Sequence, residues 1–192
     1  MNFIIIFLII LFIIIILYIV NFHFIDYMAS INNLKVNLSF NNFCKNVGGK
    51  NEIPNIILNN KFNINYYALI LIDNAPAPPR KYVIHWYIPI MCYNKLNHLI
   101  YKINGFNTAP LSGDLGYFGP CPPKNTGIHK YEFILFSLDK KYDPTKEDLN
   151  INNVNDFYNI LKKHNVNILD KKQKLYCFNS KILNSQGLYI CK

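Results

Sequence analysis

The sequence of 192 residues contains no Arg-rich tract and no basic helix with interleaved aromatic residues, the features that mark a nucleic-acid-binding surface. It nevertheless carries a formal net charge of +9. Because no concentrated basic tract accounts for this charge, we predict a dispersed basic surface and no nucleic-acid partner. A basic surface would also be attracted to anionic lipid headgroups if the protein were held at a membrane.

The five cysteines include no CxxC pair, the spacing typical of zinc ligands. We therefore expect no metal ion and no cofactor. An odd number of cysteines cannot all pair within one chain. In an oxidising compartment, Cys177 and Cys191 could bridge two C-terminal strands, a pairing that the sequence leaves open.

Residues 3–20 contain no charged residue, no glycine and no proline. As a helix rising about 1.5 Å per residue they would cross most of the roughly 30 Å hydrocarbon layer of a membrane. A cleaved signal peptide usually has a shorter apolar run and a basic start. We therefore predict a transmembrane signal-anchor over residues 1–21, with a signal peptide as the alternative, a juxtamembrane connector over 22–33 and one domain over 34–192. The protein is then a single-pass membrane protein, or enters the secretory pathway if its N-terminus is cleaved.

Alternation of apolar and polar residues with a period of two dominates the domain and predicts a mainly β structure. Along residues 82–90, it places Ile84 and Trp86 on one face of a strand and His85 on the other. One helix is expected after Asn153, which is a plausible N-cap. Strands are expected at 34–40, 66–72, 82–90, 129–138, 174–178 and 187–191.

The segment 116–131, GYFGPCPPKNTGIHKY, is the most informative part of the sequence. Its clustered prolines fix φ and remove backbone donors, so the loop is stiff. Such a loop can hold its remaining N–H groups ready for an anion with little ordering cost. The strand that follows projects His129 and Tyr131 to the same side, because side chains alternate along a strand.

Three more residues could join this loop. Asp73 lies at the end of a strand and His85 lies on the next strand, where a carboxylate could hold an imidazole in its hydrogen-bond-donating form. Such a cluster would bind a phosphate or carboxylate head. Cys121, between the prolines, is either a small packed thiol or a nucleophile, and we expect the packed thiol.

These residues follow a recognisable order: an Asp-led proline turn, HW on a strand, then GYFGPCPP and GIHKYEFILFSLD. The pattern resembles the phosphatidylethanolamine-binding protein family, which includes the Raf kinase inhibitor, florigen-type proteins and bacterial homologues. The GPCPP motif resembles the bacterial form, and KNTGIHKY resembles the animal form. The resemblance extends over roughly residues 33–169.

The resemblance implies a central antiparallel sheet with a smaller sheet and a few helices, here preceded by one N-terminal hydrophobic helix. It also implies a small cavity for anionic heads. The family's acidic turn has one residue fewer and a second acid, so either Asp73 or Asn74 could take the acidic position. By this resemblance the ligand-binding residues are Asp73, His85, Cys121, Pro123, His129 and Tyr131.

Three functions follow from this resemblance and these residues. The first is a membrane-tethered, non-catalytic binding protein for phosphate, the phosphoethanolamine heads of phospholipids or other phosphorylated ligands, with a possible regulatory role. The second is an inhibitor that docks on a kinase or a protease through the rim of the cavity. The third is a hydrolase with Cys121 as nucleophile and His85 or His129 as base, which requires a thiolate. We expect the first.

Overall fold

A computed structural model describes residues 10–18, 33–59, 66–76, 81–92, 116–182 and 184–191. Strands β1 (Asn33–Asn37) and β2 (Asn55–Asn59) form a small antiparallel sheet. The central sheet has the order β4-β3-β5-β6-β7, and all neighbours in it are antiparallel. Its strands are β3 (Tyr66–Asp73), β4 (Val83–Cys92), β5 (Ile128–Leu138), β6 (Ile168–Asn179) and β7 (Leu188–Ile190).

Helices make up a smaller part of the described chain. Residues 10–18 form helix α1, and Val154–Lys163 form helix α2. Asn153 caps α2 as predicted, because its side chain accepts hydrogen bonds from the backbone N–H groups of Asn155 and Asp156. Short 3₁₀ turns lie at Phe40–Asn42, Lys45–Val47, Glu147–Leu149 and Ser185–Gly187. The predicted mainly β fold, with a central and a smaller sheet, is confirmed.

The central sheet is buried on both faces. We call these faces the small-sheet side, where Leu71 and Phe133 pack with Val36 of β1, and the helix side, where Ile70 packs with Phe157 of α2. Successive residues of β3 and β5 alternate between the two sides, and for β5 the sequence predicted this. The strand expected at residues 34–40 is shorter than predicted, because a 3₁₀ turn begins at Phe40.

Strand β4 departs from regular alternation. The consecutive residues Leu71 and Ile72 of β3 pair with Trp86 and Ile84, so His85 is an extra residue in a β-bulge. Trp86 packs on the small-sheet side and Ile84 on the helix side. The prediction that these two residues share one face, with His85 on the other, is therefore wrong. A bulge re-aims the side chains around it.

The chain beyond residue 169 completes the central sheet. It continues β6 and adds the edge strand β7, which Cys177–Cys191 joins covalently to β6. The pairing that the sequence left open is thus present in the structure.

Every side chain of α1 is exposed, with relative accessibilities of 43–70%. Among the described residues, however, no helix is both long and apolar enough to cross a membrane. The predicted segment 1–21 and the connector 22–33 extend beyond the described residues, and their assignment stays a prediction.

Candidate functional site

Four of the predicted site residues meet at one end of the central sheet. Strand β3 ends at Asp73, β4 begins two residues before His85, and β5 begins one residue before His129. In the antiparallel register, Asp73 lies directly opposite Tyr131. The ends of three strands therefore bring residues that are far apart in sequence into one cluster, which we call the His–Asp cluster (Asp73, His85, His129 and Tyr131).

A buried hydrogen bond joins Asp73 and His129. Oδ2 of Asp73 lies 2.8 Å from Nδ1 of His129, and the two side chains are 4% and 1% exposed. Oδ1 of Asp73 accepts a hydrogen bond of 2.9 Å from the backbone N–H of Ala75. The carboxylate is thus satisfied on both oxygens, as a buried acid requires.

The other ring nitrogen of His129 contacts a hydroxyl. Nε2 lies 2.7 Å from Oγ1 of Thr126, which lies 2.6 Å from the carbonyl oxygen of Pro123. The carbonyl can only accept, so the single hydroxyl hydrogen of Thr126 goes to Pro123 and Nε2 must donate to Thr126. Asp73 likewise requires a proton on Nδ1. An imidazolium at His129 paired with the Asp73 carboxylate satisfies this hydrogen-bond pattern.

His85 occupies a different environment. Its Nδ1 donates to the carbonyl oxygen of Phe118 at 2.9 Å, and its ring stacks on the Phe118 ring with centroids 5.6 Å apart. Burial lowers the pKa of His85 below its ordinary value, although the nearby Asp73 carboxylate acts in the opposite sense. Because Nδ1 holds the proton of the neutral ring, Nε2 is left as a hydrogen-bond acceptor.

The hydroxyl of Tyr131 finds no hydrogen-bond partner among the described residues, although it is fully buried. The Tyr131 ring makes an edge contact with His85 at 5.4 Å between centroids and stacks on His129 at 6.1 Å. Burial and the nearby Asp73 carboxylate raise the pKa of Tyr131 well above its ordinary value, so the phenol keeps its proton. This buried donor thus lies beside the Asp73 carboxylate and between two imidazoles, without a hydrogen bond of regular geometry among the described residues.

The structure places Asp73, and not Asn74, in the cluster. The side chain of Asn74 donates to Oε2 of Glu132 at 2.6 Å. Glu132 neighbours Tyr131 along β5, so alternation directs Asn74 and Glu132 away from the His–Asp cluster.

The proline loop is fastened to the segment that follows β1. A disulfide joins Cys121 to Cys44, and the backbone N–H of Cys44 donates to the carbonyl of Pro120 at 3.0 Å. The N–H of Gly119 donates to Oδ1 of Asn51 at 2.7 Å, and a Cβ at Gly119 would overlap neighbouring backbone atoms. The prediction that Cys121 is a packed free thiol is wrong, since its sulfur is bonded to a partner 77 residues away.

Pro123 is exposed and reaches the His–Asp cluster only through its carbonyl oxygen and Thr126. Sequence reasoning missed Thr126 and Ser180, whose hydroxyl oxygens are 3.3 Å apart. Asn125 and Gly127 adopt positive φ angles of 65° and 96° and fold the loop back over the strand end. The signal in the sequence is the turn-forming pair of residues on either side of Thr126.

A second acid–histidine pair, of the buried Asp148 and the half-buried His164, lies elsewhere in the domain. Oδ2 of Asp148 is 2.7 Å from Nε2 of His164, and Oδ1 is 3.0 Å from Nζ of Lys163. The His164 ring packs on Tyr142, a residue of the helix side. This pair therefore belongs to the opposite face of the sheet. Among the described residues, no group of three or more His, Cys, Asp and Glu residues could hold a metal ion.

The model of the phosphatidylethanolamine-binding protein family matches residues 29–171. A UPF0098 protein of Pyrococcus horikoshii is 33% identical over 81 residues, which cover 37% of this chain and 39% of that protein. A UPF0098 protein of Methanothermobacter thermautotrophicus is 45% identical over 52 residues, covering 25% of this chain and 31% of the relative. The chain thus spans well under half the length of these curated relatives.

A solved structure shares the fold. YbcL of E. coli, a member of the mammalian PEBP family, aligns with a TM-score of 0.50 at 16% identity. The alignment covers 85% of this chain and 100% of YbcL.

Proposed function

We propose that the chain, which belongs to the phosphatidylethanolamine-binding protein family, binds anionic phosphate heads in the His–Asp cluster. Membership of this family supports a binding function in general. The heads are free phosphate, phosphoethanolamine or the corresponding groups of phospholipids or other phosphorylated ligands. The observation that carries the proposal is the buried hydroxyl of Tyr131, which lies between His85 and His129 and has no hydrogen bond of regular geometry to any residue that the structure describes. An oxygen-rich anion would satisfy this donor, whose isolation is otherwise costly.

His129 supplies the positive charge. Its Nε2–H is directed at Oγ1 of Thr126 on the exposed loop, so a ligand oxygen can replace that hydroxyl without leaving the nitrogen unpaired. Charge-assisted hydrogen bonds to phosphate are roughly twice as strong as neutral ones. Displacement of Thr126 is therefore the expected route into the cluster.

His85 makes binding dependent on a proton. Nε2 of its neutral ring can only accept a hydrogen bond, and a phosphate dianion can likewise only accept, so the two cannot bond directly. Binding of the dianion must therefore be coupled to proton uptake by His85. Because burial lowers the pKa of His85 in the free site, affinity for the dianion should rise as pH falls toward that lowered pKa. The protonation of phosphate itself near pH 6 opposes this trend.

We further propose that the domain is tethered to a membrane. The support is the apolar run 3–20 and the exposure of every side chain of α1. Alkaline carbonate extraction of the full chain should leave it in the membrane pellet. Release into the supernatant contradicts the tether.

The hydrolase alternative loses its nucleophile, because the sulfur of Cys121 is bonded to Cys44 and cannot form a thiolate. A binding role does not need that thiolate.

Calorimetry with phosphoethanolamine tests the binding proposal on the full chain in mild detergent. His85→Ala and His129→Ala should each weaken binding about tenfold or more, since one hydrogen bond to a charged group is worth about 1.5–3 kcal/mol. The double variant should lose less than the sum, because both residues contact one ligand. His164→Ala is the matched control, since His164 also pairs with a buried aspartate but lies on the helix side. Equal binding by all variants, or an equal loss in His164→Ala, contradicts the proposal.

A further inference from the structure

A groove of about 490 Å³ opens between the edges of the two sheets. Its walls are residues 35–38, in and just after β1, and residues 188–190 of β7, and its floor is formed by Lys174 and Tyr176 of β6. The hydroxyl of Tyr176 donates to the carbonyl oxygen of Val36 across the groove. This bond and the Cys177–Cys191 disulfide fix both walls, so the groove is a preformed feature.

The groove combines an exposed apolar side chain with two lysines. Ile190 is 59% exposed on the edge strand and pairs with Tyr176, so its side chain lies on the groove side. Tyr189 pairs with Cys177 and projects to the other face of the strand. Lys35 and Lys174 form no ion pair with any residue that the structure describes. Aliphatic residues flanked by lysines are typical of surfaces that lie in the headgroup region of an anionic bilayer.

The groove also lies close in sequence to the apolar N-terminal run. Strand β1 begins at Asn33, and only the twelve residues 21–32 separate it from the end of the run 3–20. Fully extended, twelve residues reach at most about 40 Å. A tether of that length holds the domain near the membrane at an effective concentration on the order of millimolar. Even a protein surface with low affinity for lipid would therefore be bound to the membrane.

We infer that this groove, together with strand β7, lies against the surface of a bilayer that contains anionic lipid. Ile190 enters the headgroup region, and Lys35 and Lys174 contact lipid phosphates. The inference rests on the proposed membrane tether. Each lysine near an anionic surface strengthens partitioning about fivefold.

This orientation brings the His–Asp cluster to the same surface. In the sheet, His129 pairs with Phe178, which pairs with Leu188 in the wall of the groove. Two strand spacings of about 4.8 Å separate His129 from Leu188. A bilayer against the groove therefore presents its phosphate heads within about 10 Å of the backbone that carries His129.

Quenching by brominated lipids tests the inference on the full chain in nanodiscs. Ile190→Trp introduces a reporter on the groove side of β7. Tyr158→Trp is the control, because Tyr158 is also partly exposed but contacts Phe136 of the helix side. The native Trp86 is fully buried and supplies a constant background, measured in the wild type. In brominated discs containing phosphatidylglycerol, the tryptophan at position 190 should lose at least half of its emission, and the one at 158 should be unaffected. Adding Lys35→Glu and Lys174→Glu should restore most of the emission.

The outcomes separate this inference from the tether. Failure of the chain to co-elute with nanodiscs would refute the tether and, with it, the inference. Co-elution with equal quenching at positions 158 and 190, or with quenching unchanged by the glutamate variants, would overturn the membrane surface alone. Unquenched emission at 190 from a protein that sediments as a dimer would assign the groove to a second copy of the chain, and would likewise overturn it.

Discussion

Removal of the Asp73 carboxylate should destabilise the domain more than removal of any exposed acid. Asp73 makes two hydrogen bonds, to His129 and to the N–H of Ala75, and it is 3% exposed. Asp73→Ala leaves Nδ1 of the buried His129 ring and the backbone N–H of Ala75 without a partner. Breaking one side of a buried ion pair costs about 3–5 kcal/mol, so we expect a loss of that size in the free energy of unfolding.

Asp73→Asn should cost less, because the amide oxygen can still accept from Ala75. His129 can then shift to the neutral ring with its proton on Nε2, which keeps the bond to Thr126. The loss is then that of one charged hydrogen bond, about 1.5–3 kcal/mol. The phosphate site also loses its cation, so Asp73→Asn should weaken phosphoethanolamine binding although its structure is preserved.

Urea unfolding of the full chain in mild detergent, followed by circular dichroism, measures these losses. Asp143→Ala is the matched control, since the Asp143 side chain is 93% exposed and its ion pair with Lys141 spans 3.6 Å. It should change stability by no more than about 0.5 kcal/mol. If Asp73→Ala costs no more than Asp143→Ala, the Asp73–His129 pair is not the buried ion pair inferred from its hydrogen bonds.

Three further predictions follow from the site and its surroundings. Thr126→Val removes the hydroxyl that a ligand oxygen must displace, so calorimetry should show phosphoethanolamine binding a few-fold tighter; weaker binding would mean that the hydroxyl is part of the bound site. Joint replacement of Cys44 and Cys121 by serine removes a bridge with a sequence separation of 77 and should lower the free energy of unfolding by about 4 kcal/mol in urea unfolding. A reductant should cause no further loss in this variant through that bridge. Burial favours the neutral acid of Asp148, but hydrogen bonds from His164 and its other partners outweigh burial and lower the pKa of Asp148. The free energy of unfolding of the wild type should therefore exceed that of Asp148→Asn by its largest amount above about pH 5, and this difference should shrink as pH falls through 4 toward the lowered pKa. A difference that stays constant with pH contradicts this prediction.

The sequence predicted those parts of the fold in which local pattern and packing agree. In β5, alternation placed His129 and Tyr131 on one side, and the structure keeps them there. The cap at Asn153 was equally local, because its side chain binds N–H groups two and three residues away. Strand β2 was missed, since Asn55–Asn59 has a short apolar centre between asparagines and pairs with β1 from a distance in sequence.

The features that escaped prediction depend on distant partners. The bulge at His85 arises from the pairing of β4 with β3, which a period-two pattern in one strand cannot reveal. The Cys44–Cys121 bond depends on the loop folding back onto the segment after β1. The contact of Thr126 with His129 depends on the positive φ angles of two neighbours, and only Gly127 signals such an angle strongly in a sequence.

A crystal structure of the protein with phosphoethanolamine tests the proposed anion site most directly. We expect a phosphate oxygen within hydrogen-bond distance of Nε2 of His129, in the position now held by Oγ1 of Thr126, with other phosphate oxygens bound to Tyr131 and His85. Phosphate bound elsewhere, with Thr126 still hydrogen-bonded to His129, would contradict the assignment of the His–Asp cluster as the anion site.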